Sequence, residues 1–188
     1  MLPELLQHVS LFSILHRIDK DLAENCRQSG CPYCHGALHY ASYYRKPRGG
    51  LEDVPSEYTL RLSLCCGREG CRRRVLPPSC LFMGRKVYWR AVILIVVTLR
   101  QGKPQSKSIN KLQEMFSISR KTIVRWIHYF RAIFPSSSQC QRLRGRVSGH
   151  VSNDNFPGEL LKYFLRYSSS ATEGLIGCLR FLASGHIR

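Results

Sequence analysis

Four of the nine cysteines stand at spacings that can hold a metal ion. Cys31-Pro-Tyr-Cys34 is one short Cys turn, and Cys66-Gly-Arg-Glu-Gly-Cys71 is a second, wider one. Zinc takes four tetrahedral ligands, and two such turns brought together by hairpins supply four thiolates at about 2.3 Å each. Pro32 stiffens the first turn, while Gly67 and Gly70 let the second fold back on itself. A single C-x2-C would also read as a redox pair. The second turn favours a Zn2+ site of Cys31, Cys34, Cys66 and Cys71. Cys65 could replace Cys66, because adjacent residues on a strand face opposite ways, but Cys66 closes the tighter loop. His35 and His39 are expected at the surface, and Cys26, Cys80, Cys140 and Cys178 as small apolar side chains or free thiols. An odd cysteine count with no secretory signal speaks against a disulfide framework. Arg72, Arg73 and Arg74 follow the second turn directly. Four thiolates around a divalent ion leave a formal charge of about −2, which arginines can offset. Three in a row cannot all face the metal, so phosphate contact is the expected second role.

A second group of residues is suited to reading nucleic acid. Ile109, Leu112 and Phe116 space out a short helix, Ser117-Ile118 a turn, and Ser119 an N-cap for a following helix. In that helix Ile123, Ile127, Phe130 and Phe134 form an apolar stripe, with Pro135 as its stop. Arg120, Lys121, Thr122, Arg125 and His128 are the candidate DNA-binding residues, with Arg72, Arg73 and Arg74 as backbone contacts. Two short helices, a tight turn and a basic second helix describe a helix-turn-helix, whose second helix enters the major groove. Regional charge supports this. Between residues 61 and 150 only Glu69 and Glu114 oppose the Lys and Arg, and that stretch carries the whole net charge of +17. A single-sign field of this density favours a polyanion. Arg144-Gly145-Arg146 could enter a minor groove, although a solvated loop is the commoner fate of such a tripeptide.

The elements that must position these groups follow from the same pattern. Leu5, Val9, Phe12, Leu15, Ile18 and Leu22 give an amphipathic N-terminal helix within residues 1–25, with Gly30 as terminator. Residues 45–56 read as a loop and Tyr58–Leu64 as a strand, inside a four-cysteine zinc ribbon of β-hairpins over residues 26–80 that Pro77-Pro78 closes. The run 91–99 suits either a buried strand or a helix face, and periodicity does not decide. Gly102–Lys107 is a loop, residues 84–135 a helix-turn-helix domain, 136–157 a linker and 158–188 a helical tail. The expected class is α+β, mostly α. The nine-residue apolar run is too short for a spanning helix, which needs about 20 residues.

Taken in order, these motifs resemble a known family. Cys31-Pro-Tyr-Cys34, a strand ending in Cys66-x4-Cys71 with arginine after it, Gly84-Arg-Lys-Val-Tyr-Trp89 and Ile118-Ser-Arg-Lys-Thr-Ile-Val-Arg-Trp126 are similar to the N-terminal zinc-ribbon plus helix-turn-helix region of insertion-sequence transposases. The resemblance covers residues 26–134 and rests on order and spacing. It implies that 86–101 is the first helix of a trihelical DNA-binding unit. Ser117 stands where that family often has a turn glycine, and Gln113 where it often has alanine. Such transposases continue into a nuclease domain whose acidic residues hold metal ions. After Pro135 the acids here are Asp154, Glu159 and Glu173, too few for a two-metal site.

The expected function is therefore a non-catalytic, zinc-dependent DNA-binding protein acting in transposon-end recognition, as an accessory subunit or as a repressor. Its partner would be double-stranded DNA with no membrane, in the bacterial cytosol and associated with the nucleoid. One alternative is a transposase subunit or truncated transposase working with a nuclease on another chain; besides DNA, a transposase nuclease subunit or further copies of the chain in a homo-oligomer could be its partners. The other is an RNA-binding zinc-ribbon protein.

Overall fold

The N-terminal helix runs later than its apolar spacing suggests. In the computed structural model of the protein, α1 spans Val9–Gln28 after a 3-10 turn at Pro3–Gln7, and Gly30 at φ 75° ends it. The structure describes residues 2–49, 54–84, 86–101, 108–137, 140, 141, 143, 146 and 155–184. The 102–107 loop, the Arg144-Gly145 step and most of the expected linker lie outside the described residues.

Among the described residues five short strands follow α1: β1 Leu38–Tyr40, β2 Tyr43–Tyr44, β3 Leu60–Arg61, β4 Leu64–Cys66 and β5 Arg74–Val75. They form an antiparallel sheet in the order β1-β4-β5 and a separate antiparallel pair β2-β3. The expected strand from Tyr58 is interrupted. Ser56–Thr59 is a one-turn helix, α2, opened by Pro55, and buried Tyr58 sets its ring edge-on to His16 of α1 at 5.5 Å. Among the described residues the core under the sheet consists of buried Cys31, Leu38, Leu64 and Cys66, with Val75 partly buried against them. That is too little apolar area to hold a module by itself.

Carbonyl-seeking arginines tie this module to the rest. Buried Arg61 donates to the carbonyls of Pro77 at 2.6 Å and Leu62 at 3.1 Å, and Arg45 to those of Gly84 at 2.8 Å and Lys86 at 2.9 Å. Asp19, buried on α1, accepts the Ser79 hydroxyl and the Cys80 N–H. Burial raises its carboxyl above the usual range although those donors oppose the shift.

The apolar run is helical. Helix α3, Arg90–Arg100, buries Ala91 through Val97 without a break. Its residues would suit a strand, but helices surround it, and a helix hydrophobic all round belongs in the middle of a core. Leu11, Phe12 and Leu15 of α1 share that core, with Phe12 edge-on to Trp89 at 5.0 Å. Two later helices also contribute to it. They are α6, Gly158–Arg166, and α7, Ala171–Ser184. These two pack closely because Gly174 and Gly177 face Leu165 and Phe164, where an added Cβ would come within 2.9 Å of either side chain. No helix among the described residues is long and apolar enough to cross a membrane.

Between them lie α4, Ser108–Phe116, and α5, Arg120–His128, both packed on α3. Ser117 in the connecting turn has φ 48°, a left-handed conformation that a side chain resists. Glycine there is expected to raise stability by up to about 1 kcal/mol, less the entropy glycine gains in the unfolded chain. Thermal denaturation of Ser117→Gly checks this, and a lower Tm would count against the turn as described.

Candidate functional site

The two Cys turns are built alike. In the first, the Cys31 N–H donates to the Gly36 carbonyl at 2.9 Å and the His35 N–H to the Cys31 carbonyl at 2.8 Å. In the second, the Cys66 N–H donates to the Arg73 carbonyl at 3.0 Å and the Arg72 N–H to that of Arg68 at 3.3 Å. The residue after the second cysteine is left-handed in both, His35 at φ 58° and Arg72 at φ 44°. That twist aims the next amide at sulfur. Gly36 N–H donates to Cys34, Arg73 N–H to Cys71, and Arg68 N–H to Cys66.

The Sγ atoms of Cys31, Cys34, Cys66 and Cys71 all lie within 4.8 Å of one another. Cys31 and Cys71 are 3.8 Å apart and Cys34 and Cys66 3.5 Å. A tetrahedron with metal–sulfur bonds of about 2.3 Å has sulfurs about 3.8 Å apart. The set therefore fits a four-coordinate thiolate-bound metal ion. Its electrostatics also call for a cation. The Gly36 amide and neighbouring thiols lower Cys34 to about 7. Cys66, although the Arg68 amide favours its thiolate, is pushed up to about 12 by burial and by Cys34. Four thiolates this close cannot coexist without a positive ion between them.

Cys66, and not Cys65, joins the cluster. Cys65 faces the other side of β4, opposite His39 and Arg74, and donates to the Arg72 carbonyl at 3.5 Å. His35 and His39 are exposed, while Cys80, Cys140 and Cys178 are buried among apolar side chains. Spacing alone gives no reason to single out Gly36. A Cβ there would stand 3.2 Å from the Cys66 sulfur, 3.4 Å from that of Cys34 and 3.0 Å from the Arg68 Cβ. Gly36→Ala is expected to lower metal affinity by about 10–100-fold, the range for residues that orient ligands without binding the ion. Competition with a chromophoric chelator checks it, and unchanged affinity would show that the sulfurs yield freely.

Arg72, Arg73 and Arg74 are exposed. Arg73 lies over the Tyr33 ring at 4.6 Å and Arg74 over Tyr43 at 5.4 Å, so both guanidinium groups are pre-placed at the surface. Arg68 donates to the Cys34 carbonyl at 3.0 Å and links the two turns.

Helix α5 starts at its expected cap: the Ser119 hydroxyl accepts the Thr122 N–H at 3.3 Å. Arg120, Lys121, Arg125 and His128 are exposed, and Thr122 is half-buried. The buried side carries Ile123 and Trp126, with Trp126 edge-on to Tyr88 at 4.9 Å. Ile127, expected in the stripe, is only half-buried, and Trp126 takes its place. The helix then widens into a π turn at Tyr129–Ile133, which turns both Phe130 and Phe134 into the core. The structure thus gathers the four cysteines into one cluster and the α5 cations onto one face. No family model, no curated protein and no solved structure matches this chain.

Proposed function

We propose that the chain is a non-catalytic, zinc-dependent DNA-binding protein related to insertion-sequence transposases. Cys31, Cys34, Cys66 and Cys71 would hold Zn2+ in a zinc ribbon, the ion's work being structural because four thiolates leave no open position. Helices α3, α4 and α5 would act as a trihelical helix-turn-helix unit, with α5 in the major groove. One observation carries the reading: Arg120, Lys121, Arg125 and His128 share the exposed side of a capped helix that Ile123 and Trp126 anchor. No acid lies on that helix. The exposed Arg72–Arg74 run would add sequence-independent phosphate contacts.

The deciding experiment titrates the purified protein with a random-sequence duplex pool across a salt series, with and without a strong zinc chelator. Expected are one zinc per chain, a binding constant that falls steeply with salt, and loss of binding on chelation. Binding that survives complete zinc removal would overturn the zinc-dependent reading. Preference for structured RNA over duplex at equal salt would favour the RNA-binding alternative. Metal-dependent cleavage of duplex ends would replace the non-catalytic reading with an enzymatic one.

A further inference from the structure

A cleft of about 470 Å³ opens between α3, the π turn that follows α5, and α7. Leu94, Phe130, Phe134 and Leu182 form its apolar wall. Two cations, Arg90 and Lys86, also line it. The Nε and Nη1 atoms of Arg90 are buried and have no hydrogen-bond partner. Among the described residues no carboxylate hydrogen-bonds to either of those nitrogens. Asp19 attracts it from farther away, but that carboxylate is already engaged by Ser79, Cys80 and Leu81. Lys86 sits with its Nζ 4.4 Å from the centre of the Tyr129 ring. Burial lowers the affinity of both groups for their protons, and Arg125 adds repulsion at Lys86.

A guanidinium with two buried, unpartnered nitrogens is costly, and an anion in the cleft beside it would offset its charge. A carboxylate is the anion that arginine pairs with readily, and a second cation beside it reinforces the same sign. The wall opposite is hydrocarbon and aromatic. The volume lies within the range of small-molecule sites, about 300–1,000 Å³, and is far too small for a nucleic-acid duplex. We propose that this cleft binds a small organic carboxylate with an apolar body, its head on Arg90 and Lys86 and its tail along Leu94, Phe130 and Phe134. The proposal does not rest on the DNA-binding reading: Arg90 and Lys86 are not among the residues assigned to DNA contact, although Arg125 of α5 stands near enough to repel Lys86.

Calorimetric titration of the full chain with octanoate tests it, with octan-1-ol, octylammonium and inorganic phosphate as comparisons. Octanoate is expected to bind once per chain, at least about ten-fold tighter than octan-1-ol, because a hydrogen bond to a charged group is worth that factor or more. Octylammonium should not bind, and phosphate should bind more weakly than octanoate. Arg90→Met should retain its metal, keep or raise Tm without ligand, and lose octanoate affinity at least about ten-fold. Lys86→Gln should lose several-fold. The proposal is overturned if octanoate fails to bind at millimolar concentration, if octan-1-ol binds equally well, or if phosphate equals octanoate. It also falls if Arg90→Met folds and binds octanoate unchanged. Should Arg90→Met fail to fold, the octanoate-to-octanol ratio and Lys86→Gln still decide the matter.

Discussion

Serine at Cys66 is expected to release the metal and loosen the two Cys turns and the β1-β4-β5 sheet, whereas serine at Cys65 does neither. The two neighbours differ only in which face of β4 they occupy. Cys66 is fully buried within 3.5 Å of the Cys34 sulfur, and Cys65 is half-exposed on the reverse side. The expected effect is large because strands of two or three residues over a four-residue core have little else to hold them. Structural zinc in comparably small modules contributes about 10–16 kcal/mol of apparent free energy at neutral pH, most of it folding free energy. The loss should stay local. The core around α3 shares no ligand with the sulfurs, so near-ultraviolet signals from Trp89 and Trp126 should persist. Elemental analysis and amide hydrogen exchange across β1, β4 and β5 are the measurements. Metal loss in Cys65→Ser with retention in Cys66→Ser would reverse the ligand assignment.

The legible parts of this chain were those set by local spacing. The two Cys turns, the Ser119 cap and the α6–α7 pair depend on residues a few positions apart, and the structure places them as the spacing implies. What spacing cannot carry is the identity of the neighbours. The residues from Ala91 to Val97 suit a strand by type, yet they form α3 because α5, α6, the Pro3–Gln7 turn, α4 and α7 surround them. Trp126 displaces Ile127 from the buried stripe because Tyr88, distant in sequence, waits edge-on beneath it. The π turn then resets the helical phase, which a fixed 3.6-residue period does not anticipate. Gly36 looks like any turn glycine in sequence; only the closeness of two sulfurs gives it a task. Arg90 reads as the polar flank of an apolar run, and nothing local signals that two of its nitrogens are buried beside a cleft lined by Phe130, Phe134 and Leu182.

The DNA-binding proposal stands or falls on a contrast between two sets of arginines. Arg120→Ala and Arg125→Ala are expected to weaken binding to a duplex selected from a random pool far more than binding to unselected duplex. Arg73→Ala should weaken both alike. Residues in the first turn of a recognition helix lie nearest the base edges, and arginine pairs with guanine through two hydrogen bonds. Each good pair is worth about 1–3 kcal/mol of discrimination, or roughly ten-fold and more. Arg125 is free to make such a pair at little cost. Its present bonds, to the Lys121 carbonyl at 3.4 Å and the Thr122 hydroxyl at 3.5 Å, are long and easily exchanged for a base. Arg73 differs in kind. It rests on the Tyr33 ring at the sheet module's surface and presents charge without a fixed hydrogen-bond direction. Its loss should reduce the slope of log K against log salt by about one, the signature of one phosphate contact, provided zinc content is unchanged. Filter-binding or fluorescence anisotropy at several salt concentrations separates the two patterns. Equal losses on both duplexes in all three variants would reduce α5 to part of a general basic surface, and the sequence-reading role assigned to its outer face would have to be withdrawn.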